Sequence, residues 1–139
     1  MNKLFMFIFL ILPIAILMSC SGKKTEGKTI EQITNVNFNS VDKISFLYGN
    51  GDEADLKDKD KIGEFIKYIK SYNVRKSDPQ PELIGFKYMV TFISNKSPVL
   101  KLTFGNPLNL DGIYYDVIST DMNDKILDEF WSSLTAGSN

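Results

Sequence analysis

The chain has no histidine and a single cysteine among its 139 residues. Without an imidazole there is no side chain that holds a neutral lone pair near pH 7 at its ordinary pKa, so the Ser-His and Cys-His routes to an activated nucleophile are closed. Without a second thiol no disulfide can form within the chain, and stability has to come from packing alone. This suits an envelope in which oxidative folding is little used. There is no glycine-rich phosphate loop and no dinucleotide fingerprint. No segment repeats with a period of 20 to 50 residues. An excess of either charge is also lacking: 16 basic residues stand against 17 acidic ones. Nucleic acid needs a basic footprint, so it is excluded as a partner, as is strong electrostatic adhesion to anionic lipid.

What is present is concentrated first at the amino end. Lys3 and the α-amino group precede an apolar run from Leu4 to Met18, broken only by Pro13. A charged n-region followed by an h-region reads as a secretion signal. As a helix those residues would rise about 22 Å at roughly 1.5 Å each, short of the roughly 30 Å hydrocarbon core, so a retained span is disfavoured. Cleavage by an ordinary signal peptidase is disfavoured as well, because Met18 between Leu17 and Ser19 makes a poor small-x-small site. Leu17-Met18-Ser19-Cys20 instead resembles the lipobox of bacterial lipoproteins, in which a diacylglycerol is joined to the Cys thiol and the signal is cut before it. The resemblance implies cleavage between Ser19 and Cys20, lipidation of Cys20, and a domain tethered to the extracytoplasmic face of a bacterial membrane. Loss of the leader removes Lys3 and leaves 15 basic against 17 acidic residues.

The remaining residues, about 120 of them, suffice for one modest domain. Residues 1–19 are expected to be removed, 20–37 to form the lipidated start and a flexible tether, 38–135 to fold, and 136–139 to fray. A short helix over Thr29 to Ile33 is an alternative within the tether. Ile44 and Phe46 alternate against Lys43, Ser45 and Leu47, which predicts a strand. Gly49-Asn50-Gly51-Asp52 predicts a tight turn, and Glu53 to Leu56 a return strand. Ile62, Phe65, Ile66 and Ile69 then recur at helical spacing behind Asp58 or Asp60 as a cap. Gly63 interrupts that helix at a cost of up to about 1 kcal/mol unless close packing requires it.

Asn73 to Lys76 predicts a brief strand, and Asp78-Pro79-Gln80-Pro81 a loop. Leu83 to Ile93 predicts the longest strand, with Ile84, Phe86, Tyr88, Val90 and Phe92 on the core face. Val99 to Phe104 pairs with it across Ser94 to Pro98. Leu108 to Leu110, the hairpin dipeptide Asp111-Gly112 and Ile113 to Ile118 complete a meander. A final helix runs from an Asp121 cap along Ile126, Leu127, Phe130, Trp131 and Leu134. Strands with inserted helices and no regular βαβ alternation predict an α+β domain: an antiparallel sheet of about five to seven short strands with two helices packed on one face.

Candidate chemistry is sparse. Asp52, Glu53, Asp55, Asp58 and Asp60 crowd five carboxylates into nine residues. Read as an EF-hand loop from Asp58, however, positions five and twelve fall on Ile62 and Ile69, and Lys57, Lys59 and Lys61 compete for the acids. A solvated turn and a helix cap explain the cluster, with no metal. Ser71 beside Lys70 is a formal Ser-Lys pair, but adjacent helical residues point apart. Two acids of the glycosidase kind could still meet in space. Asn95-Lys96-Ser97 matches a sequon and reads as a hairpin turn. In Tyr114-Tyr115, one ring should enter the core and the other face outward, where aromatic surface contacts partners.

Asp42-Lys43-Ile44 in the first hairpin, the helix from Asp58 to Ser71, Gly85-Phe86-Lys87-Tyr88 and Gly112-Ile113-Tyr114-Tyr115 together resemble the YhfM-like small lipoproteins of Bacillus and its relatives, across Val41 to Leu134. The resemblance implies a cell-envelope location and an α+β fold and hands over no catalytic residue; no cofactor is expected. The expected function is a non-catalytic, membrane-tethered binding or accessory module contacting an envelope protein, peptide or wall component. The alternative is a carboxylate-dependent hydrolytic or wall-modifying enzyme.

Overall fold

The computed structural model describes residues 26–82, 85–118 and 123–136. Leu17 to Cys20, and with them the expected cleavage and lipidation sites, lie outside the described residues, as does Asp121. The fold is α+β, as the patterning predicts, with one open antiparallel sheet of eight strands. Its strands are β1 (Lys28–Thr29), β2 (Lys43–Tyr48), β3 (Glu53–Leu56), β4 (Asn73–Lys76), β5 (Tyr88–Ser94), β6 (Ser97–Thr103), β7 (Leu108–Leu110) and β8 (Ile113–Val117). Their order is β1-β4-β8-β7-β6-β5-β2-β3, so β3 and β1 are the two edges. Among the described residues three α-helices accompany them: α1 (Ile30–Thr34), α2 (Lys59–Lys70) and α3 (Asp124–Thr135).

The core is assembled by period-two alternation. The cross-strand rows Ile44–Phe92–Leu100 and Phe46–Val90–Leu102–Leu110 place one residue in two on the same side. All of these are buried. From α2, Ile62, Phe65 and Ile69 pack onto them as the stripe requires. Phe65 is the pivot: its ring meets Phe46 and Phe130 edge-on with centroids 5.0 Å from each. Asp58 caps α2 by accepting from the amides of Asp60 and Lys61, both at 3.0 Å. The helix α3 lies on the same face, with Trp131 stacked on Tyr48 at 5.4 Å between centroids.

Four expectations need correction. The sheet has more strands than the five to seven expected, and a third helix joins the two. Both additions come largely from the stretch assigned to the tether. There Thr29 accepts from the amide of Gln32 while the Gln32 side chain accepts from the amide of Thr29, a reciprocal capping box that starts α1. Ile30 is 0% exposed and β1 pairs with β4, so the folded part already includes Lys28, ahead of residue 38. Polar composition hides a single apolar anchor. The cap of α3 is Asn123, which accepts from the amide of Lys125 at 3.1 Å. Finally, β5 starts only at Tyr88, and Phe86 leaves the core face altogether.

Candidate functional site

Because α2 and α3 both cover one side of the sheet, the other side stays open among the described residues. Its rows follow from the register. Leu47 opposes Met89, Met89 opposes Thr103, Thr103 opposes Asn109 and Asn109 opposes Tyr114. One row along, Ser45 opposes Thr91 and Thr91 opposes Lys101. Side chains at these positions are half-buried or exposed.

At the β7–β8 end this face is concave. A depression of about 520 Å³ is lined by Phe86, Met89, Thr103, Asn109 and Tyr114, with Lys101 and Asp111 at its rim. Two aromatic rings, a thioether, an amide and two opposite charges give a surface that can stack against a flat apolar group and hydrogen-bond its polar edge.

Each wall is fixed by a local device. At the hairpin tip Asp111 and Gly112 have φ of 49° and 92°, the left-handed pair a two-residue turn needs. Asp111 also binds Lys101 twice through the backbone: its amide donates to the Lys101 carbonyl at 2.9 Å, and its carboxylate accepts from the Lys101 amide at 2.8 Å. Asn109 accepts from the Gly112 amide at 2.9 Å. Behind Tyr114, Gln80 acts as a clip. Its carbonyl oxygen accepts from the Tyr114 amide at 2.8 Å, and its Nε2 donates to the Tyr114 carbonyl at 3.0 Å. The Phe86 wall is held by Gly49, whose amide donates to the Lys87 carbonyl at 2.9 Å.

The Tyr114-Tyr115 pair divides as strand alternation demands. Tyr115 is 9% exposed and belongs to the core, whereas Tyr114 is half-buried in the wall of the depression. No protein-family model, curated protein or solved structure matches this chain. The site therefore has to be judged on its own geometry.

The acidic run does not converge. Asp58 is spent on the helix cap, and Asp55 pairs with Lys43 at 3.1 Å and with Lys57 at 3.8 Å. Desolvation pushes the Asp55 carboxyl up, but hydrogen bonds from Lys43 and Ser45 and the charges of Lys43 and Lys57 outweigh it and hold it below the usual range. Asp52 takes the Asn50 side-chain amide at 2.7 Å. Among the described residues no group of three or more acids, cysteines or histidines is placed to hold a metal ion. The Ser71 hydroxyl donates to the Tyr68 carbonyl at 2.6 Å, and Lys70 binds Glu31 at 2.9 Å. Asn95 and Lys96 of the sequon form a left-handed hairpin turn, with φ of 51° and 67°.

One charged constellation escaped the sequence reading. Asp128 of α3 accepts from the Tyr88 hydroxyl and lies 2.8 Å from Lys87 Nζ. The Lys87 hydrogen bond, then that from Tyr88, holds the Asp128 carboxyl below its ordinary value. Burial, followed by the bond to Asp128, pushes the Tyr88 phenol strongly up. A carboxylate already paired to a cation and a phenol held protonated make a clamp between α3 and β5, and neither group is poised to move a proton near neutral pH. Its only sequence signal was the charge of Asp128 beside the apolar stripe of α3.

Proposed function

We propose that this protein is an exported lipoprotein, anchored through Cys20 on the extracytoplasmic face of a bacterial membrane, whose domain is a non-catalytic binding or accessory module. The partner is an envelope protein, a peptide or a wall component, received on the open sheet face around Tyr114. The observation that carries the reading is the depression between Phe86, Met89 and Tyr114, an aromatic-walled concavity on a face that none of the described helices covers. The lipid anchor is supported by the Leu17 to Cys20 pattern alone, and the cell-envelope setting by the likeness to the YhfM-like group. The carboxylate-dependent enzyme is less well supported, because the perturbed acids Asp55 and Asp128 are each bound to lysine and lie apart from the depression.

Two measurements test the reading. Intact mass of the membrane-extracted protein should show a diacylglyceryl or triacyl mass on a chain beginning at Cys20, and Cys20→Ala should move the protein from the membrane to the soluble fraction. A photo-crosslinker placed at Met89 should capture a discrete envelope species from intact cells, and Tyr114→Ala should abolish that capture. An unmodified amino end would remove the anchor; identical capture with and without the Tyr114 ring would remove the binding face.

A further inference from the structure

The edge of the sheet at β3 offers a second, independent surface. The strand order ends there, and among the described residues no strand pairs with its outer side. The Tyr48 amide donates to the Asp52 carbonyl at 2.8 Å, which sets the phase of the β2–β3 ladder. Inward-bonding residues alternate with outward-facing ones in an antiparallel pair, so Ala54 and Leu56 bond to β2 while the amides and carbonyls of Glu53 and Asp55 point outward. At the other edge, β1 is only two residues long and runs straight into the α1 cap, so it offers no comparable template.

Beside β3 runs a groove of about 760 Å³. By strand alternation Asp52 and Ala54 share the helix side of it with Trp131 and Leu134, and Glu53 and Asp55 stand on the other side. We propose that this edge accepts an extended strand, supplied by a partner protein, in which apolar and basic residues alternate.

The alternation follows from the geometry. Residues facing each other across a strand pair put their side chains on the same side of the sheet. A guest residue opposite Ala54 therefore points toward Trp131 and Leu134, where apolar surface is favoured. Guest residues opposite Glu53 and Asp55 lie among carboxylates. Asp55 is already neutralised by Lys43 and Lys57, whereas Glu53 has no ion pair among the described residues, so Glu53 is the main source of charge selection. A second copy of this chain is disfavoured as the guest by the same register. Within β3 (Glu53–Leu56), every antiparallel pairing that matches outward groups to outward groups sets Glu53 or Asp55 of one chain against Glu53 or Asp55 of the other, and like charges directly opposite are destabilising. The acids thus reject self-pairing while inviting a basic strand.

Amide hydrogen exchange on the full ¹⁵N-labelled chain in detergent micelles tests this, with Lys-Val-Lys-Val-Lys-Val as the probe. The peptide should slow exchange of the Glu53 and Asp55 amides by about tenfold or more and shift the Trp131 indole resonance saturably. Glu-Val-Glu-Val-Glu-Val, and the same Lys and Val residues in block order, should do neither. Glu53→Pro removes an outward donor without breaking the ladder to β2, and should weaken binding about tenfold or more. Glu53→Lys, which keeps the backbone intact, should shift preference toward the Glu-Val peptide. Unchanged exchange at Glu53 and Asp55, equal binding of the block peptide, or concentration-dependent protection of β3 without peptide would each overturn the proposal.

Discussion

The main-chain carbonyl of Phe86 occupies the space in which any residue other than glycine at position 49 would carry its Cβ. This close approach of two backbones is what carries the chain across to the open face before β5 begins, and it places the Phe86 ring in the wall of the depression. Gly49→Ala should therefore displace the Phe86 segment. We expect a loss of about 1–3 kcal/mol, the usual cost of overpacking a site that cannot give way. Urea unfolding should record it, and capture at the Tyr114 face should fall in the same variant.

Tyr114 and Tyr115 should separate stability from binding. Tyr115→Ala empties a core position and should cost about 3 kcal/mol. Tyr114→Ala removes a half-exposed ring and should stay within about 1 kcal/mol of the parent while losing capture. A drop in the urea midpoint confined to Tyr114→Ala would contradict the assignment of faces.

Gly63 sits in the interior of α2, and a Cβ built there meets nothing within 4 Å. No packing requirement holds this glycine in place. Gly63→Ala should stabilise the domain by about 0.5–1 kcal/mol, visible as a higher thermal midpoint.

Ile30 tests where the folded domain starts. If the chain before residue 38 were merely a tether, Ile30→Ala would be silent. Full burial predicts instead a loss of about 2–4 kcal/mol, measured by urea unfolding, together with faster exchange of the β4 amides that pair with β1.

The clamp between α3 and β5 should make stability depend on pH at both ends of the scale. The folded carboxyl of Asp128 is depressed by Lys87 and Tyr88, so its contribution is present above the ordinary carboxylate value and is lost as pH falls through the lower folded one, below about pH 4. Tyr88 is shifted upward, so its contribution is full below about pH 10 and is lost as pH rises through the folded value. Trp131, which packs against Tyr48, should report both as fluorescence changes. Asp128→Asn should remove the acid-side component.

The sequence alone determined the class of the fold, because periodicity is a local property. The alternation in β2, the Ile62 to Ile69 stripe, the Asp58 cap and the Asp111-Gly112 turn each state their structure within a few residues. Even α1, expected only as an alternative within the tether, is legible in the Thr29 and Gln32 capping box, which polar composition masked. The tertiary structure alone decided which side of the sheet stays open, that Phe86 crosses to it, that Gln80 clips Tyr114 from 34 residues away, and that Lys87 and Tyr88 meet Asp128. These depend on the order of strands and on where α3 lands, and contacts between distant residues follow from the closure of the whole chain, for which no short pattern of residues carries a signal.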